Sequence, residues 1–457
     1  MGKETVFPEE RGSFYKTLSA PLTAQVEVTQ RCNESCLHCY NHWRKRDNPS
    51  PFSTLNESQL SYVVRELIKN RVFGVTLTGG EPMLFKTAVY EAVKMCTTAG
   101  MSCSLNSNLT TVKREDAIAL KEAGVSFVLT SLLSHEESIH DVITERPGSH
   151  KKTLAGIAVL QQAGVPVGVN MVITRLNQHQ IYETGKFVAS LGVKNFSATK
   201  VSPSLSMREH FSNLDVSQKT VRESLEILVR LREEFGLKVD ILRCYPMCLI
   251  GDISRYKWFA RRNCGAGVAT VTVGADGSLR PCSHSDNVYG NVLEEGLQPG
   301  WKRMGEWRDG SLIPNRCWEC AFLQECTAGC RTDAKYCGDI KGMDPMATDP
   351  EEVMQQPISV DRFDSAKFTK QKIRMTKNLR FREEEFGGVL MAYGKPPIFL
   401  NKDAFSVALS LQDLSSFFIE EVAIGLRISV NEVAGFLENL RNKGYIEKVG
   451  REVSIWE

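Results

Sequence analysis

The sequence predicts an α/β protein built in three parts, and three observations lead to this. Short apolar runs alternate with amphipathic stretches from about residue 24 to 235. Cysteine then becomes dense between residues 236 and 345. Residues 403–457 read as three helices followed by two short strands.

The strand-like runs are AQVEVTQ (24–30), GVTLTG (74–79), SCSLNSN (102–108), SFVLTSL (126–132), PVGVNMVIT (166–174) and NFSATKV (195–201). Helical stretches separate them, among them ESQLSYVVRELIKN and KKTLAGIAVLQQAG. The second stops at Gly164, with Pro166 just beyond, which is a helix-ending signal. Strands joined by helical crossovers imply right-handed βαβ units and a parallel sheet. The period alone leaves open whether that sheet stays flat or curls into a partial barrel. In either form, ligands sit at the C-terminal strand ends.

Residues 236–345 carry short strands (VATVTVG, SLRPCS) and few apolar residues, so this part is expected to need metal staples. Residues 346–395 read as a linker, basic from Lys367 to Arg382, and residues 1–23 as an N-terminal extension. In the tail, LQDLSSFFI, EEVAIGL and NEVAGFLENLRNKGY are the three helices, and IEKVGREVSIW gives two strands turning at Gly450. This order resembles a winged helix, here assigned to residues 396–457. Residues 400–457 hold six Lys or Arg against nine acids, a net charge of −3. Phosphate neutralisation carries much of DNA affinity, so an acidic domain of this kind points to a peptide or protein partner.

Composition limits the function further. Lys and Arg total 56 against 54 Asp and Glu, so no globally basic nucleic-acid binder is indicated. No run approaches the ~18–20 apolar residues of a membrane span, and the N-terminus lacks the apolar core of a signal peptide. The expected compartment is the cytoplasm, where thiols stay reduced. Eleven of the fourteen cysteines cluster, which there means metal rather than disulfide. Cys96, Cys103 and Cys244 stand apart from the clusters and read as incidental.

Cys32, Cys36 and Cys39 follow the first strand directly. Three thiolates cannot close a tetrahedral zinc site, but they can hold three irons of a [4Fe–4S] cluster and leave the fourth open. Zinc completed by His38 or His42 is the alternative. Gly79-Gly80-Glu81-Pro82 ends the second strand, where paired glycines permit close backbone approach and an acid can meet an ammonium group.

These residues resemble the radical S-adenosylmethionine (radical SAM) superfamily, which shares the CxxxCxxC loop after strand one and GGE after strand two. The resemblance covers residues 24 to about 235 and implies a partial (β/α)6 barrel. It implies that S-adenosylmethionine chelates the open iron, that Gly79, Gly80 and Glu81 contact its ammonium group, and that His38 packs near adenine. Asn106, Asn108 and Ser131, at the ends of strands three and four, fall where ribose or carboxylate contacts occur. The acid of the family's strand-four pattern is replaced by Leu133.

Downstream, Cys264-x12-Gly277-x4-Cys282 precedes Cys317-x2-Cys320-x5-Cys326-x3-Cys330 and then Cys337. This is similar to the SPASM extension of radical enzymes, which implies two auxiliary [4Fe–4S] clusters and three clusters in all; zinc at the last four is the alternative. One auxiliary cluster is expected on Cys264, Cys282, Cys330 and an upstream cysteine, Cys248 in preference to Cys244. The other is expected on Cys317, Cys320, Cys326 and a later ligand. The family's last cysteine follows a Asp-Pro pair, but Asp344-Pro345 here precedes Met346. Cys337 is the expected substitute, with Asp344 or an open iron as alternatives.

The resemblance implies an enzyme that cleaves S-adenosylmethionine reductively and takes hydrogen from a peptide or protein to crosslink, epimerise or oxidise it. The tail domain would grip the substrate, and a flavodoxin or ferredoxin would donate electrons. A radical enzyme acting on a tetrapyrrole or sugar is the second reading. An iron–sulfur sensor that binds DNA is the third, and the intact GGEP segment argues against it.

Overall fold

Six of the apolar runs become strands close to their expected ends: β1 Thr23–Thr29, β2 Gly74–Gly79, β3 Ser102–Asn106, β4 Phe127–Ser131, β5 Val167–Ile173 and β6 Asn195–Lys200. The computed structural model describes residues 14–44, 52–205, 210–349 and 372–449. They divide into two units, Met1–Gln356 and Pro357–Glu457.

In the first unit β1 to β6 pair in sequence order, all parallel, and helices connect them. The helix Glu57–Lys69 shows how the local sequence sets these connections. Asn56 Oδ1 accepts the Gln59 N–H at 2.9 Å, and Gln59 Oε1 accepts the Asn56 N–H at 3.0 Å. This reciprocal cap satisfies two orphan donors, while Leu60, Val63, Val64 and Leu67 form one buried stripe.

Three further strands enlarge the sheet. β7 (Lys238–Asp240), a run too short to stand out in the sequence, pairs with β6. β8 (Thr270–Val273), from the cysteine-rich segment, pairs in parallel with β1, and β9 (Leu279–Arg280) turns back antiparallel to β8. The order is β7-β6-β5-β4-β3-β2-β1-β8-β9, with β7 and β9 as open edges. This is an α/β fold on a mostly parallel nine-stranded sheet, consistent with a partial barrel. The cysteine-rich segment is thus an extension of the same sheet, joined edge to edge.

One buried ion pair ties the two together. Arg280 on β9 and Glu27 on β1 are each 1% exposed and hydrogen-bonded to one another. Arg280 also donates to the Ser285 carbonyl at 2.9 Å. Burial pushes the Glu27 carboxyl up to about 7, and Arg280 opposes that rise.

The second unit departs from expectation in two places. Residues 346–395 were expected to be a linker, yet 372–391 contain β10 (Ile373–Met375), β11 (Arg380–Glu384) and β12 (Gly387–Met391). β11, β12 and β13 (Ile398–Asn401) form an antiparallel meander, and β10 pairs with β14 (Ile446–Lys448). Residues 350–371 of the expected linker lie outside the described residues. The first of the three helices is Lys402–Gln412 rather than 411–419, because Asn401 caps it by accepting the Ala404 N–H at 2.9 Å. Ile419–Leu426 and Val430–Asn442 follow as read. Ile373, Leu390, Leu400, Phe417, Leu437 and Tyr445 share one core, so strands and helices fold together. The expected second wing strand lies outside the described residues. Among those residues, no helix is long and apolar enough to cross a membrane.

Replacing Arg280 by Ala strands a buried carboxylate, so stability should fall by about 3–5 kcal/mol. Denaturant unfolding should show the deficit growing as pH rises above about 7, where the natural chain ionises Glu27 beside Arg280, whereas the variant lacks the cation that holds this carboxyl down. A deficit unchanged between pH 5.5 and 8 would show that the ion pair is not its source.

Candidate active site

A cavity of about 710 Å³ runs along the inner face of β1 to β7, from Phe127, Asn195 and Lys238 at the starts of β4, β6 and β7 to the loops beyond the C-terminal ends of β1 to β3. Its wall is polar by strand alternation: Thr76 and Thr78, Ser104 and Asn106, and Ser197 and Thr199 point inward at two-residue spacing. Such a surface cannot close into an apolar core and stays open to a ligand. Cys32, Cys36 and Cys39 line one end, each partly exposed.

The cysteine loop is held in place by the second strand end. Gly80 N–H donates to the Thr29 carbonyl at 2.7 Å, and Glu81 N–H to the Arg31 carbonyl at 2.8 Å. A Cβ on Gly80 would lie 2.0 Å from the Arg31 oxygen, and one on Gly79, whose φ is +130°, 2.4 Å from the Thr29 oxygen. The paired glycines are therefore required first by this backbone contact. Glu81 is buried and accepts three donors: Met83 N–H at 2.9 Å, Ser107 Oγ–H at 2.7 Å and Asn108 N–H at 2.7 Å. Its carboxylate fixes the loop after β3. Burial nevertheless pushes the carboxyl up to about 7 against the pull of these bonds.

The structure brings every expected cofactor-site residue to this cavity: His38, Gly79, Gly80, Glu81, Asn106, Asn108 and Ser131 all line it. Asn108 does so in a supporting position. Its Nδ2 donates to Asn33 Oδ1 at 2.9 Å, inside the cysteine loop, and its Oδ1 accepts the Thr110 N–H at 3.0 Å.

Sequence reading missed several groups. Glu34, within the cysteine loop, is buried and hydrogen-bonded to Ser149 Oγ, with the Cys36 thiol 3.5 Å away. Ser149 in turn meets His140 Nε2 at 3.3 Å, while His140 Nδ1 accepts the Leu133 N–H at 3.1 Å. That fixes the proton on Nε2. Tyr40 stacks on His284 at 4.0 Å. Lys200, a charge ending an otherwise uncharged strand, was the legible signal. It is 2% exposed and 3.6 Å from Asp333, which accepts from Arg243 at 2.7 Å.

The remaining cysteines fall into two groups. The Cys244 thiol lies beside those of Cys264 and Cys330, and Cys282 likewise neighbours Cys264 and Cys330. Cys244, the second choice in the sequence after Cys248, stands beside this set, and Cys248 does not. Arg243 donates to Cys330 Sγ at 3.0 Å. Cys317, Cys320 and Cys326 line a separate small cavity together with Cys248. Cys337 is exposed and does not line that cavity. Asp344 is occupied by the N–H groups of Cys330 (2.6 Å) and Met346 (2.8 Å). Among the described residues no three His, Cys, Asp or Glu side chains converge as they do around a single metal ion.

Residues 26–188 match the family model described as the radical SAM superfamily. These residues belong to the radical SAM superfamily. The chain is 25% identical over 326 residues to an AdoMet-dependent heme synthase of Oleidesulfovibrio alaskensis, covering 67% of this chain and 81% of the relative. It is 26% identical over 340 residues to the mycofactocin maturase MftC of Mycobacterium tuberculosis, covering 73% and 84%. The structure of Streptococcus suis SuiB bound to precursor peptide SuiA superposes with a TM-score of 0.57 at 16% identity, over 72% of this chain and 76% of that one.

Radical SAM membership implies a [4Fe–4S] cluster and S-adenosylmethionine, and the cavity fits both. Three thiols share one end of it. Gln25 Oε1, His38 Nδ1, Asn41 Oδ1 and Thr130 Oγ1 line it as buried polar atoms with no hydrogen-bond partner among the described residues. Each such orphan costs about 1–3 kcal/mol, which a polar ligand would offset. Burial pushes His38 down to about 4, so it meets such a ligand as a neutral ring.

Substituting Gln for Glu81 places an amide against two backbone donors and should cost about 1–3 kcal/mol despite equal size. The raised carboxyl means that the folded chain binds this proton more tightly than the unfolded chain. Its contribution to stability therefore falls as pH rises from 4.5 to about 7. Unfolding curves across that window should be flatter for Glu81→Gln than for the natural chain, and equal slopes would contradict the assignment.

Proposed function

We propose that this chain is a radical SAM enzyme that modifies a peptide or protein. When bound, the cluster and S-adenosylmethionine supply a 5′-deoxyadenosyl radical that abstracts hydrogen from the substrate. The chain's own residues orient and enclose. Cys32, Cys36 and Cys39 would hold the cluster, and Gly79, Gly80 and Glu81 keep that loop in register. His38, Asn106 and Ser131 would meet the cofactor's polar groups. On this reading residues 24–235 are a partial (β/α)6 barrel, and the two cysteine groups beyond it each hold an auxiliary [4Fe–4S] cluster. A small flavodoxin or ferredoxin would donate electrons, in the cytoplasm. Residues 357–457 would be a winged-helix-like unit that grips the substrate.

The observation that carries the peptide reading is the charge state of the cavity. Of its four Lys and Arg side chains, Lys200 and Arg243 face Asp333 and Arg262 pairs with Asp240. A polyanionic tetrapyrrole needs cations to neutralise it, whereas a peptide needs the hydrogen-bonding wall that is present. The likeness to MftC, named a maturase, and to SuiB, solved with a precursor peptide, supports the same choice. The likeness to heme synthases supports a tetrapyrrole as the second reading.

Hydrogen transfer discriminates the two. Reduced, reconstituted enzyme would be given S-adenosylmethionine with either the perdeuterated peptide fraction of its source cells or a perdeuterated tetrapyrrole. Deuterium should enter 5′-deoxyadenosine from the peptides; entry from the tetrapyrrole alone would overturn the proposal. Replacing Cys32, Cys36 and Cys39 together by Ala should remove about four irons and all 5′-deoxyadenosine.

A truncation tests the grip. Because β10 to β13 share the core of the second unit, the cut belongs at residue 357; a cut at 396 would split the meander between β12 and β13. The shortened chain should keep its melting temperature and its cleavage of S-adenosylmethionine. Deuterium transfer from peptides should fall at least tenfold, because the tether that raises their local concentration is gone. Undiminished transfer in a stable truncated protein would refute the grip.

A further inference from the structure

We propose that Cys248 is the fourth ligand of the distal cluster, completing Cys317, Cys320 and Cys326 from the upstream side of the chain. The proposal rests on the reading above that this group holds an auxiliary [4Fe–4S] cluster. The four thiols line one cavity whose other walls include Met247, Phe322 and Leu323. A four-thiolate set with apolar surroundings is the donor chemistry an iron–sulfur cluster takes.

Three contacts hold Cys248 to this cavity. Its sulfur accepts the Thr348 N–H at 3.3 Å, and its carbonyl accepts from Thr348 Oγ1 at 2.6 Å. Arg222, on the helix Gln218–Phe235, donates to the carbonyls of Leu249 at 2.8 Å and Cys248 at 3.3 Å. The Met247 N–H donates to Cys326 Sγ at 3.3 Å, so the residue before Cys248 already touches the set. Amides aimed at sulfur are the outer contacts that orient and stabilise thiolate ligands.

The segment after Asp344-Pro345 explains why no later cysteine is needed. It runs beside the cavity but presents Ala347 and Thr348 to it, and Thr348 clasps Cys248 instead of supplying a sulfur. Pro246 separates the two neighbouring thiols. It opens the one-turn helix Met247–Ile250, leaving Cys244 with Cys264 and Cys330 on one side and Cys248 with the distal set on the other.

The test uses full-length protein reconstituted anaerobically with iron and sulfide. Natural protein should hold about twelve irons. Cys248→Ala should lose up to four of them, or convert one cluster to a three-iron form visible by electron paramagnetic resonance. Cys337→Ala should keep the full count and an unchanged spectrum. Because Cys248→Ala could fail to fold, the natural protein is also labelled with iodoacetamide before and after reconstitution and mapped by mass spectrometry. Cluster assembly should protect Cys248 and leave Cys337 reactive. Protection of Cys337 with continued labelling of Cys248, at about twelve irons, would overturn this assignment alone. A natural protein holding only about four irons would overturn the auxiliary-cluster reading and this ligand with it.

Discussion

The active end of this molecule depends on one close backbone contact, that of Gly79 and Gly80 against Thr29 and Arg31. No side chain fits there, since a Cβ at Gly80 would lie 2.0 Å from a carbonyl oxygen. Through that contact the end of β2 sets the path of the chain into the cysteine loop. Asn41 Nδ2 reinforces it by donating to the Gly79 carbonyl at 3.0 Å. Glu81 then fixes the loop after β3, and Asn108 on that loop reaches back to Asn33 between the first two cysteines. The bonds form a closed circuit from cysteine loop to β2, to β3 and back. A circuit of this kind pre-positions thiols at little entropic cost to whatever binds them, because the ordering has occurred during folding.

A second layer of order joins the sheet to the cysteine-rich extension through buried charge. The Arg280–Glu27 pair bridges β9 to β1, and Lys200, Asp333 and Arg243 link the end of β6 to the sulfur of Cys330. Buried pairs seldom stabilise more than well-packed apolar residues would, but each is costly to break. Their value here is geometric. Arg243 and His284 line the cavity while Arg243 also touches Cys330, so the Cys330 thiol stands one side chain from the cavity wall.

What the sequence made legible was what leaves a periodic or spaced trace. Six strands, the three-cysteine loop and the glycine pair were all readable, because alternation and short spacing survive in one dimension. Glu81 was readable as a residue but not in its bonding, since its partners Ser107 and Asn108 are more than 20 positions away. The strands at 372–391 were hidden by their charge. Arg382 and Glu384 alternate with neighbours as surface residues would, yet both are buried and hydrogen-bonded to each other at 2.7 Å. Pairing made their burial tolerable, and composition does not record pairing.

Cys244 and Cys248 show the same limit at its sharpest. Four residues separate them, each could complete a set of three thiols, and spacing alone gives no ground for dividing them. The division falls at Pro246, which has no N–H to donate and whose carbonyl accepts the Leu249 and Ile250 N–H groups that close the turn Met247–Ile250. Once that turn forms, one cysteine is committed to each set of thiols, so the two sets are joined through a single short segment. Arg222 and Thr348 both hold this segment, through the Leu249 and Cys248 carbonyls. A shift of the segment would therefore disturb both thiol groups together. Its contacts are accordingly spread over the helix Gln218–Phe235, Cys326 and Thr348 rather than confined to its neighbours in sequence.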